Sequence, residues 1–255
     1  MVQNVESLAL EFYESMFGRE LLVFTYADIH NQASRETPHR RRHPRPRRGG
    51  AHRPLPRVSA RSRTPHASPV DVTVAADGCL DDTTRVARGF RGVRVIELES
   101  SNVGAARAAG AAGALRRGAL WLANTDADSV VPPHWLAHQV ALEAAGWDVM
   151  VGTVRPDFEE LDAEQREAWL GTHHSGEPNG HVHRANLGVR ASAYRASGGY
   201  RALTEHEDVD LVARLEGFRV IASDAAEVVT SGRRFGRTPG GYARFLREEF
   251  ARVRE

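Results

Sequence analysis

The chain has 255 residues, 34 Lys plus Arg against 33 Asp plus Glu, and a formal net charge of +1. That length can bury a sizeable core in one or two domains, and its one cysteine, Cys79, excludes an intramolecular disulfide and any cysteine-based metal cage. No run of about 18 apolar residues is present, and the N-terminus lacks the basic-then-apolar order of a secretory leader. The expectation is a cytoplasmic protein without a transmembrane segment, with peripheral association at a membrane as the alternative.

Residues 1–36 give an apolar pattern near helical spacing (Val5, Leu8, Leu10, Phe12, Met16, Phe17), with Leu21 to Tyr26 as a second short element, and so predict an N-terminal helical extension. Residues 37–69 change character: they hold ten Arg, four His and several Pro, with no Asp or Glu. Such a tract cannot form a core and reads as disordered and solvated. Its charge suits nucleic acid or an anionic surface through residues 39–63, but no aromatic residue interleaves to stack on bases.

From Val70 the pattern is that of an α/β domain, 70–255. Val70 to Ala76 predicts a strand with Asp77 at its end, Thr83 to Arg88 begins a helix, and Val93 to Leu98 predicts a further strand. Asn102 to Arg117 is an Ala-rich helix. Ala119 to Ala123 then predicts a buried strand that runs into Asp126 and Asp128. In an extended chain an i, i+2 spacing sets both carboxylates on one side of the backbone, where they suit a hard divalent cation shared with substrate phosphates. The plainer reading is a turn in which Asp128 or Ser129 caps the next helix, around Trp135 to Leu142. Val149 to Val154, Arg184 to Arg190 and Phe218 to Ala222 predict strands. Phe158 to Leu170, Ala191 to Ser197 and a segment opening on Glu205-His206-Glu207-Asp208-Val209-Asp210 predict helices. Four acids in six residues exceed what the dipole of a first turn needs. The end, from Ser231 through Arg233 and Arg234 to a final helix, is basic, and its plainer reading is a solvated tail. Alternating strands and helices predict a largely parallel sheet, with ligands at the carboxyl ends of its strands, where Asp77, Asn102, Asp126 and Asp128 fall.

These residues carry a resemblance. Asp77-Gly78 with Asp81-Asp82-Thr83, Asn102-x-Gly104 with Arg107, Asp126-x-Asp128 after an apolar strand, Ala185-Asn186 with Gly198-Gly199-Tyr200, and Glu207-Asp208-x-Asp210-Leu211 with Arg214 resemble, in order and spacing, the family 2 glycosyltransferases. The resemblance covers about Val70 to Phe245. It implies a GT-A-like three-layer sandwich with a mostly parallel central sheet, and transfer of a sugar from a nucleotide-diphosphate donor to an acceptor that is a glycan, a lipid or a small molecule. It further implies Asp77, Asn102 and Arg107 near the nucleotide, and Asp126 and Asp128 holding Mn²⁺ or Mg²⁺ on the diphosphate. Arg233 or Arg234 would aid the diphosphate, and Asp208 would be the base of an inverting reaction with Glu207 beside it. Asn186 and Asp210 would stand toward the acceptor. Many relatives supply a late histidine as a further metal ligand; Val228 to Gly232 holds none, and His181 and His183 qualify only by type.

The front departs more. The family opens on an apolar strand and an acidic loop that wall the nucleotide pocket, and the Arg-rich tract sits in their place. Every basic residue in the chain is Arg and only three residues are Ile, as a GC-rich coding sequence would give. A one-base shift across His39 to Pro56 permits Ile-Val-Val-Val-Ile-Pro-Ala-Arg-Asp-Glu-Glu, which is such a strand and loop. A pair of compensating frameshifts, with the family frame restored near Ser68, accounts for the tract. The competing readings are a catalytically impaired member of the family, a nucleic-acid or anionic-surface binder acting through 39–63, and a nucleotidyltransferase. The last needs a glycine-rich basic loop after a first strand that the sequence does not display.

Overall fold

A computed structural model of the chain describes residues 22–26 (backbone only), 70–176, 181–236 and 240–252. Eight strands are found among them: β1 Leu22–Tyr26, β2 Val70–Asp77, β3 Val93–Leu98, β4 Trp121–Asn124, β5 Ser129–Val130, β6 Val149–Pro156, β7 Leu187–Arg190 and β8 Val220–Thr230. The α-helices are α1 Thr83–Gly89, α2 Val103–Arg116, α3 Trp135–Ala144, α4 Ala163–Thr172, α5 Ala191–Ala196, α6 Glu207–Ala213 and α7 Tyr242–Arg252. All eight strands join one sheet in the order β3-β2-β1-β4-β7-β6-β8-β5.

The expectation of a mostly parallel sheet holds for strand direction but not for pairing. β2, β3, β4, β6 and β8 point one way, yet only β2–β3 and β6–β8 are neighbours in parallel, because β1, β7 and β5 run against them. The first-strand position, between β2 and β4, belongs to Leu22–Tyr26, which the sequence placed in the helical extension. Leu-Val-Phe-Thr-Tyr is rich in β-branched and aromatic residues, which favour a strand. β1 pairs antiparallel with both neighbours, Val23 lying opposite Asn124 and Tyr26 opposite Trp121. Its amino end therefore lies at the edge where the co-directed strands end. The rest of the expected extension, and the tract 37–69, lie outside the described residues.

Helices cover both faces, giving three layers. Along β4, Trp121 and Ala123 belong to one buried cluster with Val72, Val74, Ala87 and Trp135, while Leu122 belongs to another with Ala111, Ala114, Leu211 and Leu215. That alternation is the period-two rule of a strand buried on both faces. A third cluster joins α4 to α7 through Trp169, Leu246 and Phe250. The predicted helix over Phe158 to Leu170 is divided: a single 3₁₀ turn at Phe158–Glu160 precedes α4, whose start is fixed by a reciprocal capping box between Asp162 and Gln165.

Candidate active site

The site is assembled at the carboxyl edge of the sheet. Asp77, the last residue of β2, is nearly buried and accepts four hydrogen bonds from one turn: the backbone N–H groups of Ser100 (2.7 Å), Ser101 (2.9 Å) and Asn102 (2.7 Å), and the Ser100 hydroxyl (2.7 Å). Burial alone would raise its carboxyl; the hydrogen bonds outweigh it and hold the group below its ordinary value. Asn102 caps α2, its Oδ1 accepting from the Ala105 N–H at 2.9 Å, and its amide donates to the Ala202 carbonyl. Both residues expected near the nucleotide thus shape the loop at that edge. Gly104, at the start of α2, packs directly on the 201–203 backbone, with its N–H on the Leu203 carbonyl at 3.0 Å, so a side chain there has no room.

β4 runs through Thr125 into Asp126-Ala127-Asp128, with Ala127 turned into the core. The short β5 pairs Ser129 with Thr230 at the end of β8, and their hydroxyls hydrogen-bond at 2.8 Å, which pins the acidic turn to that strand end. Asp128 meets the Arg233 guanidinium at 2.7 Å, and Asp126 pairs with Arg107. Arg234 lends its carbonyl to Arg247. Arg107, expected near the nucleotide, is fully buried: its guanidinium lies among Asp126, Glu207 (3.2 Å) and the face of Tyr200 (6.0 Å).

The acidic helix start comes next. Glu207 and Asp208 open α6 after His206, which takes a left-handed φ of 59°. Both are buried, but Asp208, 7% exposed, reaches the wall of a cavity, whereas Glu207 is fully enclosed. Glu207, expected beside the base, directly precedes Asp208 and has its carboxylate toward Arg107. Asp210 is held by Arg214 (2.6 Å) and Arg201 (3.1 Å), and Arg214 also donates to the Gly199 carbonyl (2.7 Å). These contacts fix the Gly198-Gly199-Tyr200 turn next to Asp210, one of the two residues expected toward the acceptor. Asn186, expected toward the acceptor, is buried; its amide donates to the carbonyls of Thr153 (2.8 Å) and Ala226 (2.9 Å), and its Oδ1 accepts from Trp135 Nε1 (2.8 Å). It thereby staples β6, β8 and α3.

A cavity of about 390 Å³ lies between the two acidic segments, with Asp126 and Asp208 both on its wall. Thr230, Glu205 and His206 complete the polar side, and His181, His183, Tyr242 and Phe245 form an aromatic side. The sequence missed Tyr242 and Phe245, which it assigned to a solvated tail. The signal was present: Tyr242, Phe245, Leu246 and Phe250 lie on one face at i, i+3, i+4 and i+8. Among the described residues no group of three or more His, Cys, Asp or Glu is close enough to cage a metal ion, so His181 and His183 do not complete such a set. Asp126 and Asp128 each meet an arginine, Arg107 and Arg233, and a hard cation that takes one or two carboxylates would draw its other ligands from water and substrate phosphate.

A layered sheet of mostly co-directed strands, with an acidic turn at one strand end facing a second acidic segment across a cavity, defines a GT-A-like fold. The chain belongs to glycosyl transferase family 2, whose family model matches residues 58–197. No curated protein matches the chain. Among solved structures it is similar to S. aureus TarS residues 1–349 (12% identity, TM-score 0.47, covering 63% of this chain and 51% of that one). It is also similar to the Pyrobaculum calidifontis mannosyltransferase PcManGT, solved with GDP-Man and Mn²⁺ (20% identity, TM-score 0.48, 72% and 55%), and to a mycobacterial protein (18% identity, TM-score 0.40, 62% and 54%). The chain spans about half the length of each of these structures. Among the described residues no helix is long and apolar enough to cross a membrane.

Proposed function

We propose that the chain transfers a sugar from a nucleotide-diphosphate donor to an acceptor hydroxyl, with inversion, in the cavity between Asp126 and Asp208. The observation that carries this reading is that both carboxylates line one cavity. Asp126 and Asp128 would hold Mn²⁺ or Mg²⁺ against the donor diphosphate; the bound cation supplies charge neutralisation on the leaving group. Arg233, already at Asp128, lies where a guanidinium can also meet a phosphate oxygen. Asp208 takes the acceptor's proton as the acceptor oxygen bonds to the anomeric carbon and the bond to the diphosphate breaks, the electron pair leaving with the diphosphate. The aromatic side of the cavity faces the acceptor and excludes water.

The test is release of nucleoside diphosphate from UDP-, GDP- and dTDP-sugars with Mn²⁺, in wild type and Asp208→Asn. Turnover that falls by about 100-fold or more in the variant, with nucleotide affinity kept within about twofold, is the expected result. Equal turnover in both would remove Asp208 from the role of base.

One observation favours a second reading, an impaired member of the family. β1 fills the first-strand position in reverse, so its carboxyl end, from which a parallel strand would deliver a loop to the nucleotide, lies at the opposite edge. That reading predicts weak nucleotide affinity in a well-folded protein.

A further inference from the structure

The most enclosed charges in the described structure belong to neither wall of the cavity. Arg107 and Glu207 both have fully buried side chains, yet they carry opposite formal charges and come from α2 and α6, which are a hundred residues apart in the chain. Two different nitrogens of one guanidinium are engaged: Nη2 on Asp126 Oδ1, and Nε on Glu207 Oε1 at 3.2 Å. Asp126 is on the cavity wall, and Glu207 precedes Asp208, which is also on that wall. The tie is rigid at both ends. Gly104 seats α2 on the 201–203 backbone, the Tyr200 ring lies by the guanidinium, and the left-handed His206 sets the direction in which α6 begins. A buried ion pair between distant segments adds little net stability, because desolvation opposes the attraction, and the best-attested use of such groups is to fix register.

We propose that Arg107 and Glu207 are a positioning pair that ties the Asp126 carboxylate to the start of the helix carrying Asp208. The inference rests on the roles given above to Asp126 and Asp208. Arg107 is shared between two acids, so a change on one side alters its hold on the other. When Glu207 loses its charge, the guanidinium leans more strongly on Asp126 and competes more strongly there with a bound cation. Glu207 then governs donor affinity without touching the donor.

Two measurements test it. The first needs no ligand: urea unfolding of wild type, Asp126→Asn, Glu207→Gln and the double variant. Either single change removes one of these two carboxylates from Arg107, and the double change removes both. The double variant is expected to shift the unfolding equilibrium by about fivefold or more beyond the product of the single shifts. Independent, multiplicative effects overturn the tie.

The second is calorimetry of UDP, GDP and dTDP with Mn²⁺ on wild type and Glu207→Gln. Affinity for the nucleotide that binds wild type is expected to fall by about fivefold, a coupling that loss of general stability would not produce in folded protein. Unchanged affinity overturns the positioning role. Wild type that binds none of the three overturns the donor reading itself, and the unfolding cycle separates that result from failure of the pair.

Discussion

At the scale of single residues, chemistry was legible in the sequence and position was not. Asp77 and Asn102 stand out as polar residues at strand ends, and Arg107, Asn186 and Asp210 through the family resemblance. The structure gives each of them internal partners. Asp77 is the clearest case, with four hydrogen bonds closing on one carboxylate. Its carboxyl is held below the ordinary value, so the folded state binds the proton more weakly than the unfolded chain does. The stability this contributes is present above the unfolded value of about 4 and is lost as pH falls through the lower folded value. Asp77→Asn should therefore cost about 2 kcal/mol near neutral pH. The difference from wild type should shrink below about pH 4, as followed by denaturant unfolding across pH. A variant equally destabilised at pH 7 and pH 3 would contradict this.

At the scale of elements, the strands and helices from Val70 onward were legible because their periodicities are clean and their ends carry caps and turns. Three features were not. β1 was read as part of a helical stretch, since five residues cannot separate a strand from a helix by period alone. β8 extends well beyond the predicted Ala222, to Thr230, because pairing with β6 and β5, not local propensity, sustains it past its polar residues. The final helix was read from its arginines, while its apolar face is what joins α4 and borders the cavity. Asn186 shows how strongly elements are tied across the sheet. Asn186→Ala leaves two carbonyls and the Trp135 indole N–H without their partner in a buried place, and should cost about 3 kcal/mol in urea unfolding. A cost below about 1 kcal/mol would mean that the staple is dispensable.

At the scale of the whole molecule, the family follows from the order of motifs and from the matched residues 58–197, while the front of the chain departs from it. The tract 37–69 carries no acid, and the first-strand position is taken in reverse by Leu22–Tyr26. Paired frameshifts predict that the coding DNA, read one base out of frame across His39 to Pro56, spells an apolar strand and an acidic loop without a stop codon. Stop codons in that frame would refute the idea. The proposed donor site sets Asp126, with Asp128 next to it in the same turn, facing Asp208 across one cavity. It is tested most directly by calorimetric binding of UDP, GDP and dTDP, with and without Mn²⁺, to wild type and to Asp128→Ala. The account predicts Mn²⁺-dependent binding of one nucleotide to wild type and its loss in the variant. Binding that ignores both the metal and Asp128, or none at all by well-folded protein, would contradict it.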